Sequence, residues 1–285
     1  MKLDRLLVPV DFSESSPILI AYAKGFASLF HSEIHLVHSN EALMAPVSAE
    51  SFGFEQVAYQ DILQQIEIRF GEKLEEYAIP LRKEGIKVSS AVLTGRAHVQ
   101  ISDYAEQNNC GLILIGSVGH SKLHYIFLGS TTERLLRNTT KPVMSIRISE
   151  KASPGKIKNI CVPVDFSDHA GKVIPSAIQW AEQFGSKLFF VHVDVLGKYM
   201  NPEEDILPQI ESKFPALKTI PFKKVIIKGE KITENIIQFG EKNNIDCFMQ
   251  TSHGSGKITS ALLGSKADEL IRLSQVPVVT YRILS

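Results

Sequence analysis

Short apolar runs alternate with longer amphipathic stretches, and the alternation runs through the chain twice. Leu6-Leu7-Val8-Pro9-Val10 is a compact apolar run, and Ser16 to Phe30 spaces its apolar residues as a helix does. Ile34-His35-Leu36-Val37 reads as a strand. Ile62 to Lys83 reads as a long helix with Glu and Lys interleaved, and Pro80 is expected to kink it or end it early. Val88 to Leu93 is a strand and Val99 to Glu106 lies in a helix. Leu112-Ile113-Leu114-Ile115 is apolar throughout, as a strand buried on both faces must be. Thr132 to Arg137 lies in a helix, and Val143 to Ile146 is the last strand of this half. Strands joined by helical crossovers predict an α/β fold with a parallel sheet covered on both faces. The second half repeats the scheme with a shorter second helix, Glu203 to Lys218.

The repetition is visible in the residues themselves. Val8-Pro9-Val10-Asp11-Phe12-Ser13 recurs as Val162-Pro163-Val164-Asp165-Phe166-Ser167, and Leu128-Gly129-Ser130 recurs as Leu263-Gly264-Ser265. Asn108-Asn109 matches Asn243-Asn244, and Lys141-Pro142-Val143 matches Val276-Pro277-Val278. Preserved order means that a whole domain was duplicated. The predicted units are residues 1–148 and 157–285, joined by a polar Pro/Gly linker at 149–156. The offset between copies falls from 154 at Val8 to 135 at Gly129, so the first half carries 19 additional residues between these landmarks. They are expected around Asn40 to Tyr59, as a lid or partner-binding loop.

Composition narrows the function classes. Lys plus Arg equals Asp plus Glu at 31 each, so no broad electrostatic field for nucleic acid or an anionic membrane is expected. Cys110, Cys161 and Cys247 are far apart and form no CxxC pair, which favours a reducing compartment over a disulfide framework. Charges at Lys2, Asp4 and Arg5 and the lack of any membrane-length apolar run lead to the expectation of a cytoplasmic protein.

The candidate chemistry follows the fourth strand. Ile115-Gly116-Ser117-Val118-Gly119 precedes nine residues, then Gly129-Ser130-Thr131 and a helix. Glycines let the backbone approach a ligand, and a helix N-terminus offers convergent N–H groups and a positive dipole end to phosphate. In the plainer alternative the glycines only turn the chain and Ser130 only caps the helix. Ligands of open parallel sheets lodge at the carboxyl ends of strands where the connection direction reverses. That crevice would have Asp11 on one wall and the glycine loop on the other. Asp11 could accept hydrogen bonds from ribose or a base amine, or help hold a divalent ion; the alternative is a cap for the next helix, with Ser13 or Ser15 competing.

The spacing G-x2-G-x9-G-[ST], with V-P-x-D-F-S at the start and K-P-V near the end, resembles the universal stress protein family. Both halves resemble it over nearly their whole length, as in a tandem member. The resemblance implies two open parallel five-stranded sheets in the order 3-2-1-4-5 with helices on both faces. It implies ATP, with or without magnesium, held by Pro9, Val10, Asp11, Ser39, Ile115, Gly116, Gly119, Gly129, Ser130 and Thr131. His38-Ser39 matches the position whose backbone faces adenine. The last strands, Val143–Ile146 and Val278–Tyr281, would pair the two domains within one chain, and a homodimer is left open. A regulator acting through nucleotide-dependent conformation or an unidentified protein partner is expected. A slow ATP hydrolase in the same cleft and a nucleotide-independent scaffold are the alternatives.

The second half departs from the motif. Its weaker site comprises Asp165, Val193, Thr251, Gly254, Gly264 and Ser265, with Thr251 where the first glycine belongs. A β-branched residue is costly there if the glycine has positive φ or touches the ribose; if its φ is ordinary, Thr251 simply adds a hydroxyl. Other readings fail on their residues. Gly254-Ser255-Gly256-Lys257 lacks the Gly at 251 and the Ser or Thr at 258 of a phosphate-binding P-loop. His38 and His192 lack the companions of a metal site, and no nucleophile elbow follows Gly116-Ser117. No catalytic constellation is predicted.

Overall fold

The structure, a computed structural model, describes residues 3–41, 54–117 (backbone alone over 54–60), 128–147, 154–165, 172–195, 197, 211–252 and 263–282. The first half runs β1 (Arg5–Pro9), α1 (Ser16–Phe30), β2 (Glu33–Asn40), α2 (Phe54–Lys83), β3 (Val88–Thr94), α3 (Ala97–Gln107), β4 (Leu112–Gly116), α4 (Ser130–Asn138) and β5 (Val143–Ile146). The second runs β6 (Asn159–Pro163), α5 (Ile174–Phe184), β7 (Lys187–Asp194), β8 (Phe222–Lys228), α6 (Ile232–Lys242), β9 (Cys247–Thr251), α7 (Ser265–Leu273) and β10 (Val278–Tyr281).

Each half has its strands in the order 3-2-1-4-5, all parallel. The two sets are not separate sheets. β5 and β10 pair antiparallel, Ser145 opposite Val278 and Met144 opposite Val279, giving one ten-stranded sheet in the order β3-β2-β1-β4-β5-β10-β9-β6-β7-β8. The pairing supplies partners to two strand edges that would otherwise present unpaired N–H and C=O groups.

Three local expectations are revised. α2 begins at Phe54, so residues 54–59, expected as loop, are helical, and residues 42–53 lie outside the described residues. α2 continues past Pro80 to Lys83, because the missing N–H falls in the last turn, where little helix remains to be disrupted. In the second half, 211–213 are helical but Pro215–Thr219 is a 3₁₀ helix. Phe214 precedes proline and is driven out of the helical region, to φ −129° and ψ 75°. Residues 203–210 lie outside the described residues.

Both faces of the sheet are covered. On one, α1 and α5 meet across the junction: Phe26 packs edge-on to Trp180 (5.0 Å) and Phe184 (5.2 Å), within a buried cluster that runs through both halves. The incoming chain crosses α1 at Gly25, where an added Cβ would lie 2.5 Å from the Gly155 Cα. Gly155 has φ +77°, so this crossing needs glycine twice, once for space and once for conformation. On the other face, Arg147 Nη2 donates to the Arg272 carbonyl at the end of α7, and Arg282 Nη1 to the Thr139 carbonyl that ends α4 (3.5 Å). Each half thus lends an arginine to the negative end of a helix in the other. Among the described residues no helix is long and apolar enough to cross a membrane.

Candidate functional site

β1 lies between β2 and β4, so the chain winds one way from β1 and the other way after β3. The carboxyl ends of these strands therefore frame a crevice at a reversal of connection. Just past β1, Val10 N donates to Val37 O (2.7 Å), and Phe12 turns the chain at φ 61°. This left-handed turn aims Asp11 back at its own loop. Its Oδ1 accepts from Ser13 N (3.0 Å), Ser13 Oγ (2.5 Å) and Ser16 Oγ (3.3 Å). Asp11 therefore organises the entry to α1 even as it borders the crevice.

The crevice is a cavity of about 440 Å³. Pro9, Val10 and Asp11 form one wall, and Val37, His38 and Ser39 extend it along β2. Ile115 and Gly116 close the β4 side. Gly129, Ser130, Thr131 and Thr132 bring in the start of α4. Every first-half residue expected to bind a ligand lines this one cavity, except Gly119, which lies outside the described residues. Glu41, Ala97 and Ile101 are among the lining residues that went unnoticed in the sequence. They come from the end of β2 and from α3, and only the register of β2 beside β3 brings them to the mouth.

The start of α4 is anchored to the end of β4. Gly129 N donates to Ser117 O (2.8 Å), and Thr132 Oγ1 to Gly116 O (2.7 Å). Gly129 is the cap residue and no side chain caps the helix; Ser130 is its first helical residue rather than its cap. The N–H groups of Ser130, Thr131 and Thr132 are thus the ones an α-helix leaves without an internal acceptor, and these three residues line the cavity. Neither Gly116 nor Gly129 has positive φ. Gly129 sits at φ −59°, ψ 139°, and Gly116 is paired strand backbone opposite Ile146. Here the glycines supply bare backbone beside the cavity, not a special dihedral.

His38 is tied to the fold, its Nδ1 2.8 Å from Val10 O. With a carbonyl as acceptor, Nδ1 carries the proton. Burial lowers its pKa from the ordinary 6.5, against the opposing pull of the Val10 carbonyl and Asp11. Its ring packs on Phe12 (4.7 Å) and Phe70 (4.3 Å), joining the β1 turn to α2. Glu41 Oε1 accepts from Ala97 N (3.2 Å) at the start of α3. Among the described residues no three His, Cys, Asp or Glu side chains gather as a metal site.

The second half keeps the scaffold. Val164 N donates to Val191 O, His192 Nδ1 lies 2.8 Å from Val164 O, and Gly264 N donates to Ser252 O at 2.8 Å. Asp165 is exposed at the end of β6, and Ser265 opens α7. The lining has changed. Thr251 stands for Gly116, Val193 for Ser39, Ala267 for Thr132 and Gln250 for Ile115. Gln250 is buried and bonded through Nε2 to Ala267 O (3.0 Å) and Thr280 Oγ1 (3.3 Å). Thr251 ends β9 with ordinary strand backbone opposite Tyr281, so a positive-φ cost does not arise at this position. Gly254 and Lys257 lie outside the described residues.

Comparison with known proteins follows the same division. The profile of the Universal stress protein family matches residues 2–147 and again 156–282. A universal stress protein of Methanocaldococcus jannaschii is 27% identical over 153 residues, spanning 50% of this chain and 94% of its own. One from Mycolicibacterium smegmatis is 23% identical over 292 residues, spanning 97% of this chain and 96% of its own. The crystal structure of a universal stress protein from Archaeoglobus fulgidus superposes with a TM-score of 0.79 at 25% identity, covering 99% of each chain.

Proposed function

The chain belongs to the universal stress protein family, and from that premise we propose that its first half binds ATP and that the protein acts as a nucleotide-responsive regulator. The observation that carries this reading is the uncapped start of α4, opening into a cavity bordered by Asp11, Ser39 and Gly116. Unpaired helix N–H groups with a positive dipole end suit a phosphate chain. The apolar wall of Val10, Val37, Ile101 and Ile115 suits a base, and Asp11 and Ser39 supply acceptors for ribose or an exocyclic amine.

Magnesium fits as the nucleotide's companion rather than as a resident ion. It keeps most of its waters and takes one or two carboxylates along with substrate phosphates, and Asp11 is the carboxylate at hand. Units 1–148 and 157–285 with a linker at 149–156 are the domain division we adopt. In the second half Thr251, Val193 and Gln250 put side chains where the first half has a bare glycine, a hydroxyl and a plain apolar wall. We assign that half a weaker or altered site, and a principal role in completing the sheet.

Calorimetry with ATP and magnesium on the full chain tests the proposal, with Gly129→Val beside the wild type. Gly129 has a backbone conformation that valine tolerates, so the variant should fold and lose ATP. Unchanged affinity would count against the loop, and no binding by the wild type against the whole reading. A nucleotide that leaves proteolysis of the 40–59 segment unaltered would argue against a lid there.

A further inference from the structure

Two arginines stand next to residues that line the cavity, on the first turns of the helices that border it. Arg96 is the extended cap residue of α3 (φ −65°, ψ 120°) and directly precedes Ala97, which lines the cavity. Arg134 lies one turn into α4, three residues beyond Thr131, which also lines it. Both are exposed, and among the described residues no carboxylate pairs with either guanidinium. By contrast, Arg137 on the same helix is held by Glu133 at 2.7 Å.

His98 shows that the two arginines share a neighbourhood. α3 and α4 pack together, and the His98 ring is depressed in pKa by burial first and then by the positive charges of Arg134 and Arg96, with Glu41 opposing. Side chains on a helix lean toward its N-terminus, which carries Arg134 toward the open end of α4. The first half therefore gathers two guanidinium groups, an imidazole and the positive ends of two helices on one rim. Glu41 already places one carboxylate there, on Ala97 N.

The second half cancels each of these charges. Lys231, opposite Arg96 in the repeat, is bonded to Glu234 (2.9 Å). Thr233, opposite His98, donates to Glu269 (2.6 Å). Glu269 itself occupies the place of Arg134 and also pairs with Lys266 at 3.2 Å. The same scaffold thus carries an unspent positive rim on one copy and a neutralised rim, with an acid at its centre, on the other.

We propose that the first cleft selects nucleotides bearing two or more phosphates, and that Arg96, His98 and Arg134 grip the distal end of that chain. The inference rests on the nucleotide reading above and adds to it a preference and the residues that set it. A guanidinium presents paired donors to phosphate oxygens, and an unpaired one loses no existing partner on binding. The α4 N–H groups take the proximal phosphate, and the rim takes what extends beyond it.

Calorimetry on the full chain with AMP, ADP and ATP, each with magnesium, tests this for the wild type, Arg134→Glu and Arg96→Gln. Arg134→Glu installs the residue that the second half carries at that position. It is expected to weaken ATP about tenfold, as loss and reversal of a charge near a phosphate does, while AMP changes less than about twofold. Arg96→Gln should show the same pattern at smaller size. Should Arg134→Glu melt early, Arg134→Gln gives the same comparison without the added acid. Equal weakening of AMP and ATP, or no change in either, overturns the rim assignment and leaves the nucleotide reading standing. A wild type that binds ATP no better than AMP also overturns the selectivity. A wild type that binds no nucleotide overturns both.

Discussion

The two halves share a backbone plan and differ in what they leave unfilled. The first ends β4 in a bare glycine, starts α4 without a side-chain cap and, among the described residues, leaves Arg96 and Arg134 without a carboxylate partner. At matching positions the second has Thr251, a bonded Gln250, buried Val193 and an acid-paired rim. The difference teaches where binding capacity resides. It is not in the strand order or in the hydrogen bonds from Gly129 and Gly264, which are the same length in both. On the proposed reading it lies in a handful of side chains whose removal or charge sets whether the crevice takes an anion.

Exchange of residues between copies tests that view most severely. Gly116→Thr gives the first half the second half's residue at a position with ordinary strand backbone. Stability should hold within about 1 kcal/mol, while ATP binding falls by more than about thirtyfold, through steric exclusion rather than unfolding. Parallel melting and calorimetry check this, and retained affinity would mean that the glycine is not needed. The reverse change, Thr251→Gly, should not create a second ATP site, because Gln250, Val193 and Ala267 remain. Two bound ATP per chain would refute this.

A pH effect sharpens the contrast away from the cleft. The first half buries His35 with Nδ1 3.0 Å from Tyr104 Oη, where the second has Phe189 packed against Phe239 at 5.7 Å. Burial is the largest influence on His35 and lowers its pKa below the ordinary 6.5, outweighing the opposite pull of Glu33. A folded state that prefers neutral imidazole binds fewer protons than the unfolded chain. Its stabilising contribution is full above about pH 6.5 and is lost as the pH falls from there toward the depressed folded value. His38 and His98 are shifted the same way. His35→Phe with Tyr104→Phe should therefore flatten the dependence of melting temperature on pH between about 7 and 5. An unchanged slope would assign it to the other histidines.

Smaller effects follow from single contacts. Thr132→Ala copies Ala267 and removes the bond to Gly116 O, at an expected cost of about 1 kcal/mol by chemical denaturation. Lys231→Gln breaks an exposed ion pair in the second half and should leave the melting temperature unmoved, since such pairs contribute little.

Much of this was readable from residue pattern. Strands announce themselves as apolar runs because both sheet faces are covered, and α1 and β5 have the bounds that their periodicity predicts. The cleft was readable where its residues sit in the repeated motifs. Glu41, Ala97 and Ile101 were not, since nothing local marks a residue that the alignment of β2 with β3 brings to a shared edge. The continuity of α2 through Pro80 depends on how near the helix is to its end. The role of glycine was visible in kind but not in cause: the expected freedom of φ is unused at Gly116 and Gly129, and is needed at Gly155, where the linker meets α1.

The antiparallel seam between β5 and β10 turns the carboxyl edges of the two halves in opposite directions. Whatever settles in one crevice is out of reach of anything in the other, so the copies cannot cooperate by sharing a guest. What joins the two crevices is the ten-stranded sheet itself and the edge-on aromatic contacts of Phe26 with Trp180 and Phe184 on one of its faces.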